Sequence, residues 1–270
     1  MADMKQIMKE LEQGVMSVYT DDKYIQYLDT MSKFHDYSVN NIVLILMQNP
    51  EAKLVAGYKA WQKNFKRNVK KGEKAIRIIA PCPHKRKEQV VLEDGTIDEK
   101  EIVWQTYTSV CVFDVSQTEG EDLPTYGCDE LHETVDEYKN LLSKIEKVSP
   151  VEVNYETFDG EAKGFFDGDK VVVQEGMSEL QTVKTLVHEV AHAMLHGKGC
   201  EYENADRNTK EVQAESVAYT VCKMLGLQTD DYSFGYVAGW SKGKDAKELT
   251  ASMETIRKTA NKIYEGVRAA

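Results

Sequence analysis

Apolar residues recur at helical spacing from the first residues to about Gln48, where Asn49-Pro50 supplies a stop. Beyond it the pattern becomes mixed. Gly57-Tyr58-Lys59-Ala60-Trp61 reads as a short helix or turn and Ala75 to Ala80 as a strand. Val90-Val91-Leu92 and Ile102 to Val115 read as hairpin strands around Asp94-Gly95. Ser116 to Asp129 is acidic and turn-rich, and a domain boundary is expected there. Helical periodicity resumes from about Leu131 to Val148, followed by a strand from Val151 to Tyr155. Two short strands, Lys163 to Phe166 and Lys170 to Gln174, turn through Asp167-Gly168-Asp169. Three helical stretches close the chain, at Ser178 to His196, Thr209 to Leu225 and Asp245 to Val267. The expectation is an α+β protein of two domains, residues 1–125 with mixed α/β content and residues 126–270.

At 270 residues and 41% hydrophobic content the chain can bury a substantial core without disulfide staples. Its longest apolar run, Ile42 to Met47, is far short of the roughly 20 residues that span a bilayer, so no membrane partner is expected. The opening residues carry charges at helical spacing and do not read as a secretory signal. The five cysteines are scattered and include no Cys-x-x-Cys pair, which argues against a disulfide framework and a thiolate zinc site and points to the cytoplasm. A net charge of −11 argues against nucleic acid until its distribution is considered. Between Lys53 and Lys87 stand twelve Lys or Arg and one acid, Glu73.

The sharpest chemistry lies at His188-Glu189-Val190-Ala191-His192. Ser178-Glu179-Leu180-Gln181 resembles a capping box, and the helix it starts runs to a Gly197 stop. Residues at i and i+4 project from one helix face, so His188 and His192 can meet one Zn²⁺, with Glu189 beside them to take a proton from water. A catalytic zinc needs a third protein donor. Glu211 and Glu215 share a face of the following helix: one would ligate and the other would orient a ligand histidine, with Glu211 favoured as the ligand. An acid serving a cap at Asn208 is the competing role of Glu211; His196 is a further candidate ligand, with a helix-end cap as its competing role.

These residues carry a resemblance over nearly the whole chain. His188-Glu189-x-x-His192, Glu211-x-x-Ala214-Glu215 and Tyr236-Val237-Ala238-Gly239-Trp240 resemble the zincin-like metallopeptidase domain of ArdC-type antirestriction proteins and the related ImmA/IrrE peptidases. The first half resembles the ArdC-type single-stranded-DNA-binding domain. The matching pieces are Tyr37-Ser38-Val39-Asn40-Asn41, Gly57-Tyr58-Lys59-Ala60-Trp61, Val69-Lys70-Lys71-Gly72-Glu73-Lys74 and Val112-Phe113-Asp114-Val115-Ser116-Gln117-Thr118.

The resemblance implies a single-stranded-DNA-associated zinc metallopeptidase of a plasmid or conjugative element, with an antirestriction role and an unidentified protein substrate. Two other functions fit the residues: a regulatory peptidase that needs no DNA, and a non-enzymatic DNA-binding protein with a structural zinc. Tyr236 is a candidate oxyanion donor, with packing as its competing role. In the basic run, Lys59, Lys63, Lys66, Arg67, Lys70, Lys71, Lys74 and Arg77 are candidate phosphate partners. Tyr58, Trp61 and Phe65 are candidate stacking rings, although Trp61 and Phe65, four apart, would equally make a core stripe.

Overall fold

The computed structural model describes residues 4–91, 97–123, 135–160, 162–229 and 232–270. Three helices come first: α1 (Met4–Val18), α2 (Asp21–Lys33) and α3 (Val39–Gln48). Ser38 accepts from the Asn41 amide at the start of α3, and Asn49 ends it, as the Asn-Pro step predicts. Strand β1 (Val55–Gly57), helix α4 (Tyr58–Phe65) and strand β2 (Arg67–Val69) lead into a long hairpin, β3 (Ile76–Val91) and β4 (Ile97–Asp114). The strands expected at 75–80 and 102–115 are therefore the inner ends of one ribbon that includes the charged stretch between Cys82 and Gln89. Leu92 and the Asp94-Gly95 turn lie outside the described residues.

Pro81 and Pro83 survive inside β3 because it is an edge strand, in the order β1-β4-β3. The outward backbone groups of Arg77 and Ile79 bond instead to the side-chain amides of Gln48 and Asn41 on α3. The prolines share their parity, so their missing N–H groups fall on the side with no strand partner among the described residues. A 3-10 turn (Val115–Gln117) and β5 (Thr118–Gly120), paired with β2, close this region.

Helix α5 is described from Val135 to Val148; the expected start at Leu131 and much of the expected boundary segment lie outside the described residues. Strand β6 (Glu152–Glu156) pairs in parallel with β8 (Lys170–Gln174), and β7 (Gly164–Phe166) pairs antiparallel with β8. Helices α6 (Glu179–His196), α7 (Arg207–Met224), α8 (Val237–Ser241) and α9 (Ala246–Ala269) follow.

The apolar faces of α1, α2 and α3 are covered by α7 and α9. The contact is specific as well as apolar. Tyr24 Oη and Ser216 Oγ lie 2.8 Å apart, Tyr219 donates to Asp29 at 2.8 Å, and Arg257 Nη1 donates to the His35 carbonyl at 2.7 Å. One contiguous cluster of buried side chains runs from Ile7 to Val267, so a cut at residue 125 passes between segments that share a core.

Candidate metal centre

Helix α6 is held by a buried stripe, Val183, Leu186, Val187, Val190 and Ala191, packed against α7 and the Val171–Val173 floor of β8. Ser178 caps it by accepting from the Gln181 amide at 3.3 Å. The reciprocal half of the expected box is not formed, because the Gln181 side chain bonds Lys163 and Thr185. On α7 the cap is Asp206, not Asn208, so Glu211 is free of capping and points across to α6.

His188 Nε2 and His192 Nε2 stand 3.1 Å apart, and Glu211 Oε2 lies 3.7 Å from each. Bonds of about 2.0–2.1 Å to a tetrahedral ion imply ligand separations of about 3.3 Å, so the triangle needs only small adjustments to hold one cation. It is the group of three such donors that converges among the described residues. Glu215 Oε2 sits 2.9 Å from the other nitrogen of His188, Nδ1, as an ion-pair contact rather than an aligned hydrogen bond. Burial pulls the His188 imidazole down, but Glu211, Glu215 and Glu189 outweigh it and push it up to about 10. The adjacent His188 and His192 imidazoles hold Glu211 well below the usual carboxylate range. The cluster therefore favours an added positive charge, which a proton or a divalent cation can supply.

His196 lies outside the converging triangle and is more than a helix cap. Its Nδ1 lies 2.9 Å from His192 Nδ1, and its Nε2 lies 3.0 Å from Gln213 Oε1. If His192 Nε2 faces a metal, His192 Nδ1 carries the proton and donates to His196 Nδ1, which in turn donates from Nε2 to Gln213. That chain needs a neutral His196, and burial pulls its imidazole down to about 4. Gln213 is fully buried, so the acceptor is fixed. If the triangle holds a divalent metal, Glu215→Ala and His196→Leu should each weaken its binding by about 10–100-fold, and Glu211→Ala should weaken it more. Competition with a chelator reads this on folded protein, and a Glu215→Ala loss exceeding that of Glu211→Ala would reverse the two roles.

Glu189 is buried, 6% exposed, under strand β7. A Cβ on Gly164 would stand 3.1 Å from Glu189 Cγ and 2.7 Å from Thr185 Cγ2, so the strand comes this close only because residue 164 lacks a side chain. Burial raises the Glu189 carboxyl, against the pull of His188 and His192. Three clefts meet here: one between β7 and the histidines, one lined by Lys163, Lys184 and Tyr232, and one lined by Glu211, Glu215, Tyr236 and Trp240. Tyr236, 44% exposed, sits on the wall of the third, and burial followed by the Glu215 charge raises its phenol above the usual range. Gly164 and Gln213 had no signal in the sequence; the four-residue step from His188 through His192 to His196 was visible, but its direction was not.

Residues 3–113 match the family described as the N-terminal domain of anti-restriction factor ArdC. This region is ArdC-like. The fold resembles the metal-free crystal structure of antirestriction ArdC from the R388 plasmid, with a TM-score of 0.58 at 19% identity over 86% of each chain. The Mn(II)-bound structure of that protein gives 0.54 at 18% identity, over 86% of this chain and 85% of that one. At such identities the likeness is one of fold. An uncharacterized protein of Bacillus anthracis, pXO2-81, is 28% identical over 98% of this chain, which spans about half of that relative, 51%.

In the ArdC-like region the aromatic and basic candidates separate. Trp61 is fully buried, its Nε1 donates to the Phe113 carbonyl at 2.8 Å, and its ring lies 4.8 Å from Phe65. It is a core residue, because the spacing that suggested a stacking ring instead makes the helix stripe that seats α4. Arg67 is likewise occupied: its guanidinium donates to Thr118 Oγ1 and to the Thr118 and Glu121 carbonyls, tying β2 to β5. Lys66, in the left-handed conformation that ends α4, pairs with Glu121 at 3.4 Å, and Lys70 donates to the Ser116 carbonyl at 2.9 Å. Tyr58, Lys59, Lys63, Lys71, Lys74 and Arg77 are exposed.

Proposed function

We propose that this chain is a zinc-dependent peptidase with an attached single-stranded-DNA-binding surface, serving antirestriction for a plasmid or conjugative element. The observation that carries the hydrolytic reading is the His188, His192 and Glu211 triangle, with Glu189 buried beside it and Glu215 and His196 on the outer nitrogens of the two histidines. Two imidazoles and one carboxylate suit zinc and also accept manganese, the ion in the R388 protein's crystal structure. Three protein donors leave a coordination position for substrate, which favours hydrolysis over a structural zinc.

When bound, zinc polarises a carbonyl and makes water more acidic. Glu189 accepts the proton of the attacking water and returns it to the departing amine. Glu215 fixes the ring of His188, and His196 with Gln213 fixes that of His192. Tyr236, on the cleft wall, donates its O–H toward the carbonyl oxygen. The functional division follows residues 1–125 and 126–270 even though the two halves share a core. No described helix is long and apolar enough to cross a membrane, and action in the cytoplasm is part of the proposal.

The test is metal content together with cleavage of a diverse peptide library, with and without a chelator. Zinc-dependent cleavage with one metal per chain is the expected result. Tight metal binding with no cleavage of peptides or whole-cell protein would return the non-enzymatic reading. For the DNA surface, binding of a mixed-sequence single strand should weaken with salt, with a log–log slope of about −0.7 per phosphate contact. Charge reversal at Lys70 and Lys71 should make that slope shallower. An unchanged slope would remove the basic turn from the binding surface.

A further inference from the structure

With Trp61 in the core, a nucleic-acid surface needs rings from elsewhere, and the β3–β4 ribbon presents them. Residues that pair across an antiparallel ribbon share a face, and alternate pairs share the same one. Arg77 pairs with Cys111, Pro81 with Tyr107, Pro83 with Gln105 and Lys85 with Val103, which places all of them on one face. That face is open. Tyr107 is 61% exposed and Val103 59%, and the prolines, Gln105, Arg77, Cys111 and Lys85 are exposed as well.

At about 3.3 Å per residue, Arg77 and Lys85 flank Tyr107 at roughly 13 Å on either side. At the foot of the same face Tyr58, 49% exposed, meets the ring of Phe113 at 6.3 Å. The opposite face differs: Cys82 and His84 are part-buried, and Trp104 lies flat on His84, with centroids 5.4 Å apart and an interplanar angle of 17°. Beyond Tyr107 on the other side, Glu101 pairs with Lys85 at 2.7 Å. The positive end of the ribbon is its base, where Arg77 adjoins the Lys70–Lys74 turn.

We propose that the Arg77–Tyr107 face of the β3–β4 ribbon is a single-stranded nucleic-acid track, with Tyr107 and Tyr58 as the stacking rings and Arg77 as a phosphate contact. It deepens the DNA-binding reading given above and rests on it. Charge complementarity selects the occupant: at its base this face adjoins the Lys70–Lys74 turn, a cationic stretch in a chain whose net charge is −11. An exposed ring beside a cationic base suits a ligand that alternates bases with phosphates. The track runs from Tyr107 towards the base, because on the other side Glu101 already neutralises Lys85.

The experiment is anisotropy of a labelled mixed-sequence single-stranded DNA on the full chain, repeated with RNA of the same sequence to identify which single strand is preferred. Tyr107→Ala should weaken binding about tenfold with little change of salt slope, Tyr107→Phe should restore it, and Arg77→Gln should make the slope shallower by about 0.7. Trp104→Ala, on the other face, should leave affinity unchanged. Trp61 and Trp240 are buried while Trp104 is 44% exposed, so intrinsic fluorescence reports mainly on Trp104 contacts and should be little quenched at saturation. Wild-type protein that binds neither strand at low salt would overturn both the DNA reading and this track. Binding that survives Tyr107→Ala unchanged, or that quenches Trp104, would overturn the track alone.

Discussion

Glu189→Gln is expected to retain metal and fold while losing about 10²–10⁴-fold in turnover, the range a positioned general base contributes. The amide has nearly the shape of the carboxylate and fills the same buried place under Gly164. It cannot accept a proton from water, and that is the whole of the intended change. Stability gives an independent readout. Burial already disfavours the charged form of Glu189, so a neutral replacement removes a desolvation cost, and the thermal midpoint of the metal-free variant should not fall. Hydrolysis of a peptide cleaved by the wild type, metal content and a melting curve together decide it. Wild-type turnover in the metal-loaded variant would end the general-base assignment; a lowered midpoint would make any loss ambiguous, and Glu189→Asp, which keeps the charge but withdraws it, then separates charge from packing.

The candidate metal cluster could be proposed from sequence because its residues are local: His188, Glu189 and His192 lie within five residues of one capped, apolar helix, and Glu211 and Glu215 are one turn apart on the next. What joins the two helices is tertiary. The choice between Glu211 and Glu215 depends on how α7 crosses α6, and no periodicity encodes a crossing. The same limit explains Trp61. Its spacing from Phe65 suited both a stacking face and a core stripe, and only the arrival of the Phe113 carbonyl from β4 makes it core. The ribbon was hidden for a different reason. Charged residues and two prolines interrupt the apolar alternation between Cys82 and Gln89, and a two-stranded ribbon open on a face has no core to impose one. The core shared by α1, α2 and α3 with α7 and α9 was equally out of reach, since acidic, turn-rich sequence marks a loop whether or not it separates domains.

Asp114→Ala is expected to cost about 4 kcal/mol of stability, from a residue that entered the sequence comparison only as one letter of a shared motif. Asp114 is 1% exposed at the end of β4. Its Oδ1 accepts from the Lys53 and Leu54 amides at 2.8 and 3.1 Å, and its Oδ2 from the Ser116 amide and hydroxyl at 2.9 and 2.6 Å. Alanine would strand three part-buried amides, each worth about 1–3 kcal/mol when unpaired. The damage should spread to the basic turn. Gln117 accepts from the Asp114 amide at 2.9 Å and donates to the Lys74 carbonyl at 2.8 Å, while the Gln117 carbonyl accepts from the Lys70 amide at 2.9 Å. Asp114 thus anchors the 3-10 turn that holds Lys70 to Lys74. Burial alone would raise its carboxyl, but the four hydrogen bonds prevail and lower it. A carboxyl lowered by folding contributes stability that is present above its unfolded value, about 3.9, and lost as pH falls through its folded value. Asp114→Asn keeps one accepting oxygen and loses the charge, so its deficit against wild type should be widest near neutrality and close below about pH 4. Urea unfolding across pH measures both variants. A deficit for Asp114→Ala under about 1 kcal/mol at pH 7, or one for Asp114→Asn that does not narrow in acid, would show that the network does not hold this turn.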